Sequence, residues 1–116
     1  MKRRFRLTRS ADIKRVRRSG KSYAHPLVLL YTAAGEPAEL HVCVTAGLAV
    51  GNAVKRNRAK RLLRAALTDL LPEVLPGSDL LLIARPALAG ADLGRTREAL
   101  TLLLDQAGLL SCSHGS

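Results

Sequence analysis

Six positively charged side chains lie within the ten residues from Lys55 to Arg64, and this stretch contains no Asp or Glu. Lysine and arginine at this density are typical of surfaces that bind phosphate groups. At about 100° per residue, a helix over this segment has one polar face and one apolar face. The polar face holds Asn57, Lys60, Arg61, Arg64 and Thr68, and the apolar face holds Ala59, Leu62, Leu63, Ala66, Leu67 and Leu70. The helix can therefore pack on a core and present a cationic stripe outward.

The start of this helix is marked by a turn residue, Gly51, and by Asn52, which is a favoured N-cap. Lys55 and Arg56 follow in the first turn and point toward the apolar side of the pattern. Their charges would add to the positive end of the helix dipole and to its open amide donors. We therefore expect this helix end to attract phosphate.

The simplest interpretation of a charged helix face is a surface in contact with water. Such faces normally mix signs, and Glu–Lys pairs four residues apart are common. Like charges at these spacings destabilise a helix, and here no acid offsets them. The pattern therefore predicts a polyanionic partner.

The net charge of +10 is concentrated in the first half of the chain. Residues 1–64 contain 16 Lys and Arg against 3 Asp and Glu, whereas residues 65–116 contain 3 Arg against 6 acids. Positive charge concentrated in one part of the chain indicates a binding surface for a negatively charged partner. Nucleic acid is the first candidate, and an anionic membrane surface is the second.

The sequence offers no candidate for a membrane span or a secretion signal. The apolar stretches, such as Leu80–Ala84, are far shorter than the roughly 18–20 residues that cross a bilayer. Cys43 and Cys112 are the two cysteines, and two reduced thiols are the simpler interpretation. We expect a cytoplasmic protein that does not cross a membrane, and nucleic acid, not a membrane, as its partner.

Turn residues and apolar periodicity divide the chain into helices and strands. The expected elements are a basic arm (1–9), a helix from Ser10 or Asp12 to Ser19, strands at Leu27–Thr32, Leu40–Thr45 and Asp79–Ala84, helices at about 53–71 and 94–107, and a disordered tail (111–116). We expect the first two strands to form a hairpin across the turn at Ala34–Pro37. The second and third strands, joined by the basic helix, should be parallel. The architecture is thus α+β, with helices against an open sheet.

A stand-alone catalytic site is hard to assemble from these residues. His25, His41 and His114 are scattered, and the basic half lacks paired carboxylates and a phosphate-binding loop. Cys112 and His114 are close in sequence, but two ligands do not make a zinc site. We therefore predict a binding subunit with no catalytic residues, no metal site and no cofactor of its own.

Aromatic side chains are few, and Tyr31 is the best candidate for stacking on an unpaired base. A tyrosine packed in the core or at the sheet edge is an equally good interpretation at this point.

In its order of segments, the chain resembles the protein subunit of bacterial ribonuclease P, from Arg6-Leu7 to about Leu110. The sharpest similarity is the run from Gly51 to Arg61, which contains the family's Arg-Asn-Arg signature at residues 56–58. Further similarities lie at Ser19–Ser22, Leu30–Thr32 and Ile83–Arg85.

The resemblance implies a fold like that of ribosomal protein S5 domain 2, in a single domain over residues 1–110. It also implies an open mixed sheet with three helices and a left-handed crossover around the basic helix. Generic βαβ units are right-handed in about 98% of cases, so the family would be an exception.

The resemblance further implies a function in tRNA processing. Proteins of this family bind a catalytic RNA, expected here at 1:1, and the ribonucleoprotein is an endonuclease that removes the 5′ leader of precursor tRNA. The RNA performs the Mg²⁺-dependent hydrolysis, and the protein alone is inactive. The residues expected to face the RNA subunit are Lys55, Arg56, Asn57, Arg58, Lys60, Arg61 and Arg64. Those expected to line the cleft for the precursor tRNA leader are Ile13, Lys14, Arg17 and Tyr31.

The chain departs from the family pattern at two places. Ile13 and Arg17 occupy first-helix positions that are often aromatic, so leader binding is expected to depend more on charge. The segment Ala46–Val50 carries no charge where many members have lysines.

A general RNA-binding protein, such as a ribosomal or assembly factor without a role in tRNA processing, is the alternative. A DNA-binding helix-turn-helix is disfavoured, because no short helix directly precedes Asn52.

Overall fold

The computed structural model describes residues 10–35 and 40–110. The helices are α1 (Ser10–Ser19), α2 (Ala53–Leu70) and α3 (Leu93–Gln106), and the strands are β1 (Lys21–Ala24), β2 (Val28–Ala34), β3 (His41–Ala46) and β4 (Ser78–Ala84). Short 3-10 turns lie at Leu48–Val50, Leu71–Glu73 and Pro86–Gly90. The predicted arm (1–9), the predicted tail (111–116) with Cys112 and His114, and part of the predicted turn at Ala34–Pro37 lie outside the described residues.

The four described strands form one mixed sheet in the order β1-β2-β4-β3. β2 is antiparallel to both β1 and β4, whereas β3 is parallel to β4. The parallel crossover β3–α2–β4 and the α+β architecture with three helices were predicted and are confirmed. The left-handed sense of the crossover stays a prediction of the family resemblance.

The hairpin predicted between the strands at Leu27–Thr32 and Leu40–Thr45 is wrong. These strands are β2 and β3, and β4 lies between them and pairs with both. Leu80 pairs with Thr32 of β2 on one side and with Val42 of β3 on the other. β4 contains a continuous buried run from Asp79 to Leu82. A strand that is apolar on both faces belongs at the centre of a sheet, where helices cover both sides. The apolar character of β4 thus explains why it occupies the centre of the sheet, between β2 and β3, although β2 and β3 are neighbours in sequence.

β1 was not predicted, because its four residues show neither a run nor an alternation of apolar side chains. It is largely exposed and lies at the edge of the sheet, where Lys21 is typical of protected edge strands. The hairpin that the chain does form joins β1 to β2, with Tyr23 opposite Leu30.

The sheet separates two apolar clusters of unequal size. The larger one contains Leu80 and Leu82 of β4 together with the inner faces of α2 and α3. The smaller one contains Val16 of α1 and Leu81 of β4, with Tyr31 packed against them. Alternating side chains of one strand therefore support two helical layers on opposite faces of the sheet.

The predicted apolar face of α2 is largely confirmed. Its buried members are Ala59, Leu63, Ala66, Leu67 and Leu70. Leu62 lies at the border of that face and is half-buried.

Candidate nucleic-acid interface

The start of α2 is capped as the sequence predicted. Oδ1 of Asn52 accepts a hydrogen bond from the backbone N–H of Lys55 at 3.0 Å. Gly51 has φ 137°, a conformation that favours glycine, and it ends the preceding 3-10 turn. The first turn of α2 contains no acidic side chain. The positive end of the helix dipole is therefore left without internal compensation.

Arg56 is half-buried, and its Nε is buried without a hydrogen-bond partner in the part of the chain that the structure describes. The prediction that it points toward the apolar side is confirmed. Lys55 is exposed, and for this residue the direction stays a prediction. Helical side chains point back toward the N-terminus, and the stem of Lys55 lies so close to Gly51 that an added Cβ there would meet its Cδ at 2.7 Å.

The remaining polar side chains of α2 lie on its outer surface. Asn57, Arg58 and Arg61 are exposed, while Lys60 and Arg64 are half-buried. The seven residues predicted to face an RNA subunit thus share one helix and run along it from its capped end.

Arg58 makes contacts that the sequence did not reveal. Its Nε donates to the carbonyl oxygen of Ala89 at 3.0 Å, and its Nη2 donates to the carbonyl oxygen of Ala91 at 3.1 Å. These bonds tie α2 to the 3-10 turn at Pro86–Gly90. Both acceptors are backbone oxygens about thirty residues away, so no side-chain pattern could have indicated them. Arg58 has a structural role in addition to its charge.

On the opposite face of the sheet, Arg17 of α1 lies over the ring of Tyr31, with Cζ 5.7 Å from the ring centroid. This distance is within the range of a cation–π contact. Arg17 is exposed and Tyr31 is half-buried, so the pair forms part of the surface. The structure therefore brings together two of the four residues predicted for the leader cleft. Lys14 is exposed on the same helix, and the side chain of Ile13 lies outside the described residues.

Asp79, at the start of β4, anchors α1 to the sheet. Its side chain is only 5% exposed and pairs with the guanidinium of Arg15, which also donates to the carbonyl of Ala34. Oδ1 of Asp79 lies 3.1 Å from Nδ1 of His41 on β3. A buried carboxylate is stable only when it is paired in this way. These pairings were not predicted, although an acid inside an otherwise apolar strand is a signal for them in the sequence.

The two surfaces offer positive charge, hydrogen-bond donors and, at Tyr31, an aromatic ring. Among residues 10–35 and 40–110, no three His, Cys, Asp or Glu side chains are grouped so that they could hold a metal ion. None of the helices in that part of the chain is long and apolar enough to cross a membrane. The chemistry that this arrangement supports is recognition of a polyanion.

Comparison with known proteins agrees with this description. A family model described as Ribonuclease P matches residues 1–108. The ribonuclease P protein component of Lactobacillus johnsonii is 39% identical over 113 residues, which cover 96% of this chain and 93% of that protein. The component of Chloroflexus aurantiacus is 35% identical over 111 residues, covering 95% and 82%.

Solved structures show the same architecture. The RNase P protein of Staphylococcus aureus superposes with a TM-score of 0.82 at 25% identity, covering 91% of this chain and 97% of that one. The RNase P protein of Thermotoga maritima superposes with a TM-score of 0.78 at 23% identity, covering 87% and 96%, and at that identity shows the fold alone.

Proposed function

The chain belongs to the ribonuclease P protein family, and we propose that it acts with a catalytic RNA to remove the 5′ leader of precursor tRNA. The family match over residues 1–108 supports this function. The main structural support for RNA binding by the protein is the start of α2, which is capped, contains no acidic side chain in its first turn and displays cations along one surface. The alternative of a general ribosomal or assembly protein has no support in the family assignment.

The surface of α2 is the proposed contact with the RNA subunit. A helix end with a free positive dipole and neighbouring arginines suits the phosphates of a folded RNA. Arg56 is half-buried, and its exposed part adds a further cation to this surface. Arg58 uses two of its donors on Ala89 and Ala91 and keeps its remaining N–H groups for the RNA.

The surface around Tyr31 and Arg17 is the proposed contact with the single-stranded leader. The guanidinium above the ring extends the stacking platform and carries a charge for the leader phosphate. Lys14, on the same helix, adds a second cation. Leader binding in this chain therefore combines one ring with charge.

Hydrolysis itself is proposed to belong to the RNA, in a 1:1 complex in the cytoplasm. Mg²⁺ for the reaction would then be held by the RNA and its substrate. The protein's cations contribute by screening phosphate repulsion.

Reconstitution with the ribonuclease P RNA of the same genome tests this proposal. Precursor tRNA cleavage is measured for protein alone, RNA alone and both together across a magnesium series. The complex should cleave at lower magnesium than RNA alone, and the protein alone should not cleave. Cleavage by RNA-free protein, or no effect of the protein at any magnesium concentration, would contradict the proposal.

A further inference from the structure

Two large apolar side chains are displayed to solvent at the start of α2. Leu48 is 80% exposed in the 3-10 turn, and Val54 is 73% exposed in the first helical turn. They lie on either side of the Gly51-Asn52 turn that caps the helix. Ala49 and Ala53, their neighbours in sequence, are also exposed. We define Leu48, Ala49, Ala53 and Val54 as the apolar tip.

The apolar tip directly precedes the cations of α2, in a stretch of the chain without acidic residues. No Asp or Glu occurs between Glu39 and Asp69, and Lys55 follows Val54 directly. A partner for this region must therefore be anionic and must also offer an apolar surface. A second copy of the chain fails the first requirement, because each copy carries a net charge of +10.

An RNA satisfies both requirements where a base is unpaired. Its phosphates are anionic, and the faces of an unstacked base are apolar and flat. Resting on the proposed function, we propose that the apolar tip packs against an unpaired base of the RNA subunit, beside the phosphates bound by α2. This contact releases no counterions, so its contribution to affinity does not depend on salt. The tip thus adds affinity where the segment Ala46–Val50 provides no charge.

The test compares Leu48→Ser with Leu102→Ser, a matched control on the outer surface of α3, where Leu102 is 53% exposed. Affinity for the ribonuclease P RNA is measured across a salt series, with circular dichroism to verify folding. Leu48→Ser should weaken binding roughly tenfold to a hundredfold at every salt concentration, as expected for losing a buried leucine contact. The slope of log K against log salt should stay at its wild-type value. Leu102→Ser should bind as wild type does.

A second variant reports directly on the base contact. The chain contains no Trp, so Leu48→Trp introduces a single fluorescent reporter on the tip. Binding of the RNA subunit should quench its emission through stacking, whereas a fully paired RNA duplex should quench it far less. Unchanged emission on binding of the RNA subunit would overturn the proposal, as would wild-type affinity of Leu48→Ser.

Two further outcomes would assign the tip to another partner and overturn the proposal. One is Leu48-dependent binding to vesicles of phosphatidylglycerol and phosphatidylcholine together with unchanged RNA affinity. The other is a dimer in sedimentation that Leu48→Ser dissociates.

Arg61→Ala separates this inference from the function on which it rests. If Arg61→Ala makes the plot of log K against log salt less steep while Leu48→Ser binds as wild type does, the proposed contact of the apolar tip is contradicted and the proposed function stands. Absence of any specific binding by wild-type protein would instead remove the proposed function.

Discussion

The surfaces of α1 and α2 both carry positive charge, but they hold it in different ways. α2 displays its cations from a capped end with no acid in its first turn. On α1, Arg15 pairs with the buried Asp79, and Arg17 lies over Tyr31. The large core supports α2, whereas α1 packs on a small cluster around Val16 and Leu81. The difference is consistent with the proposed division, in which α2 binds the phosphates of a large folded RNA and α1 binds a short single strand beside the ring of Tyr31.

The unequal cores predict unequal losses of stability. Leu63 is fully buried on the inner face of α2, so Leu63→Ala should lower the free energy of unfolding by roughly 2–5 kcal/mol. Val16 is also fully buried, but its side chain is smaller and its cluster contains fewer residues. Val16→Ala should cost roughly 1–3 kcal/mol. Urea unfolding measures both, and a larger loss for Val16→Ala would reverse this ranking of the two cores.

Tyr31 tests whether the α1 surface binds the leader. A stacked base contributes about 1–3 kcal/mol, so Tyr31→Ala should weaken precursor tRNA binding to the holoenzyme by that amount. Mature tRNA lacks the leader and should bind as before, which controls for damage to the fold.

Arg17→Ala separates stacking from charge on the same surface. It removes the guanidinium over the ring and leaves Tyr31 in place. A weak effect of Tyr31→Ala with a strong effect of Arg17→Ala would show that charge replaces stacking in this chain. Equal losses for precursor and mature tRNA in Tyr31→Ala would instead mean that Tyr31 only supports the sheet.

Arg58 and Arg61 of α2 can be compared directly, because both are exposed arginines. They differ in that Arg58 donates to the carbonyl oxygens of Ala89 and Ala91. Arg61→Ala should leave the free energy of unfolding nearly unchanged, as expected for an exposed cation. Arg58→Ala should cost about 1 kcal/mol through its two lost hydrogen bonds. Thermal unfolding compares them, and identical midpoints would show that the Arg58 bonds contribute nothing to stability.

Much of the fold followed from local sequence patterns. The Asn52 cap, the apolar face of α2 and the parallel pairing of β3 with β4 are each set by residues close in sequence or by one helical crossover. The position of β4 between β2 and β3 was not predicted, because strand order depends on contacts between distant segments. Patterns among neighbouring residues cannot choose among such pairings.

The candidate site divides in the same way. The cations of α2 are a contiguous pattern, and the sequence placed them on one helix as the structure does. The pairing of Asp79 with Arg15 and the bonds from Arg58 to Ala89 and Ala91 join residues that are 64 and about 30 positions apart. Only the folded chain brings those groups together. Tyr31 and Arg17 were proposed as neighbours through the family resemblance, and their contact agrees with it.

The cationic surface of α2 is proposed to bind the RNA subunit, and the salt dependence of that binding is the most direct test. If this surface meets about six phosphates, log K against log salt should have a slope of roughly −4 to −5. Arg61→Ala should make the slope less steep by about 0.7 to 0.9, the contribution of one phosphate contact. A wild-type slope near −1, or an unchanged slope in a folded Arg61→Ala protein, would contradict binding through this surface.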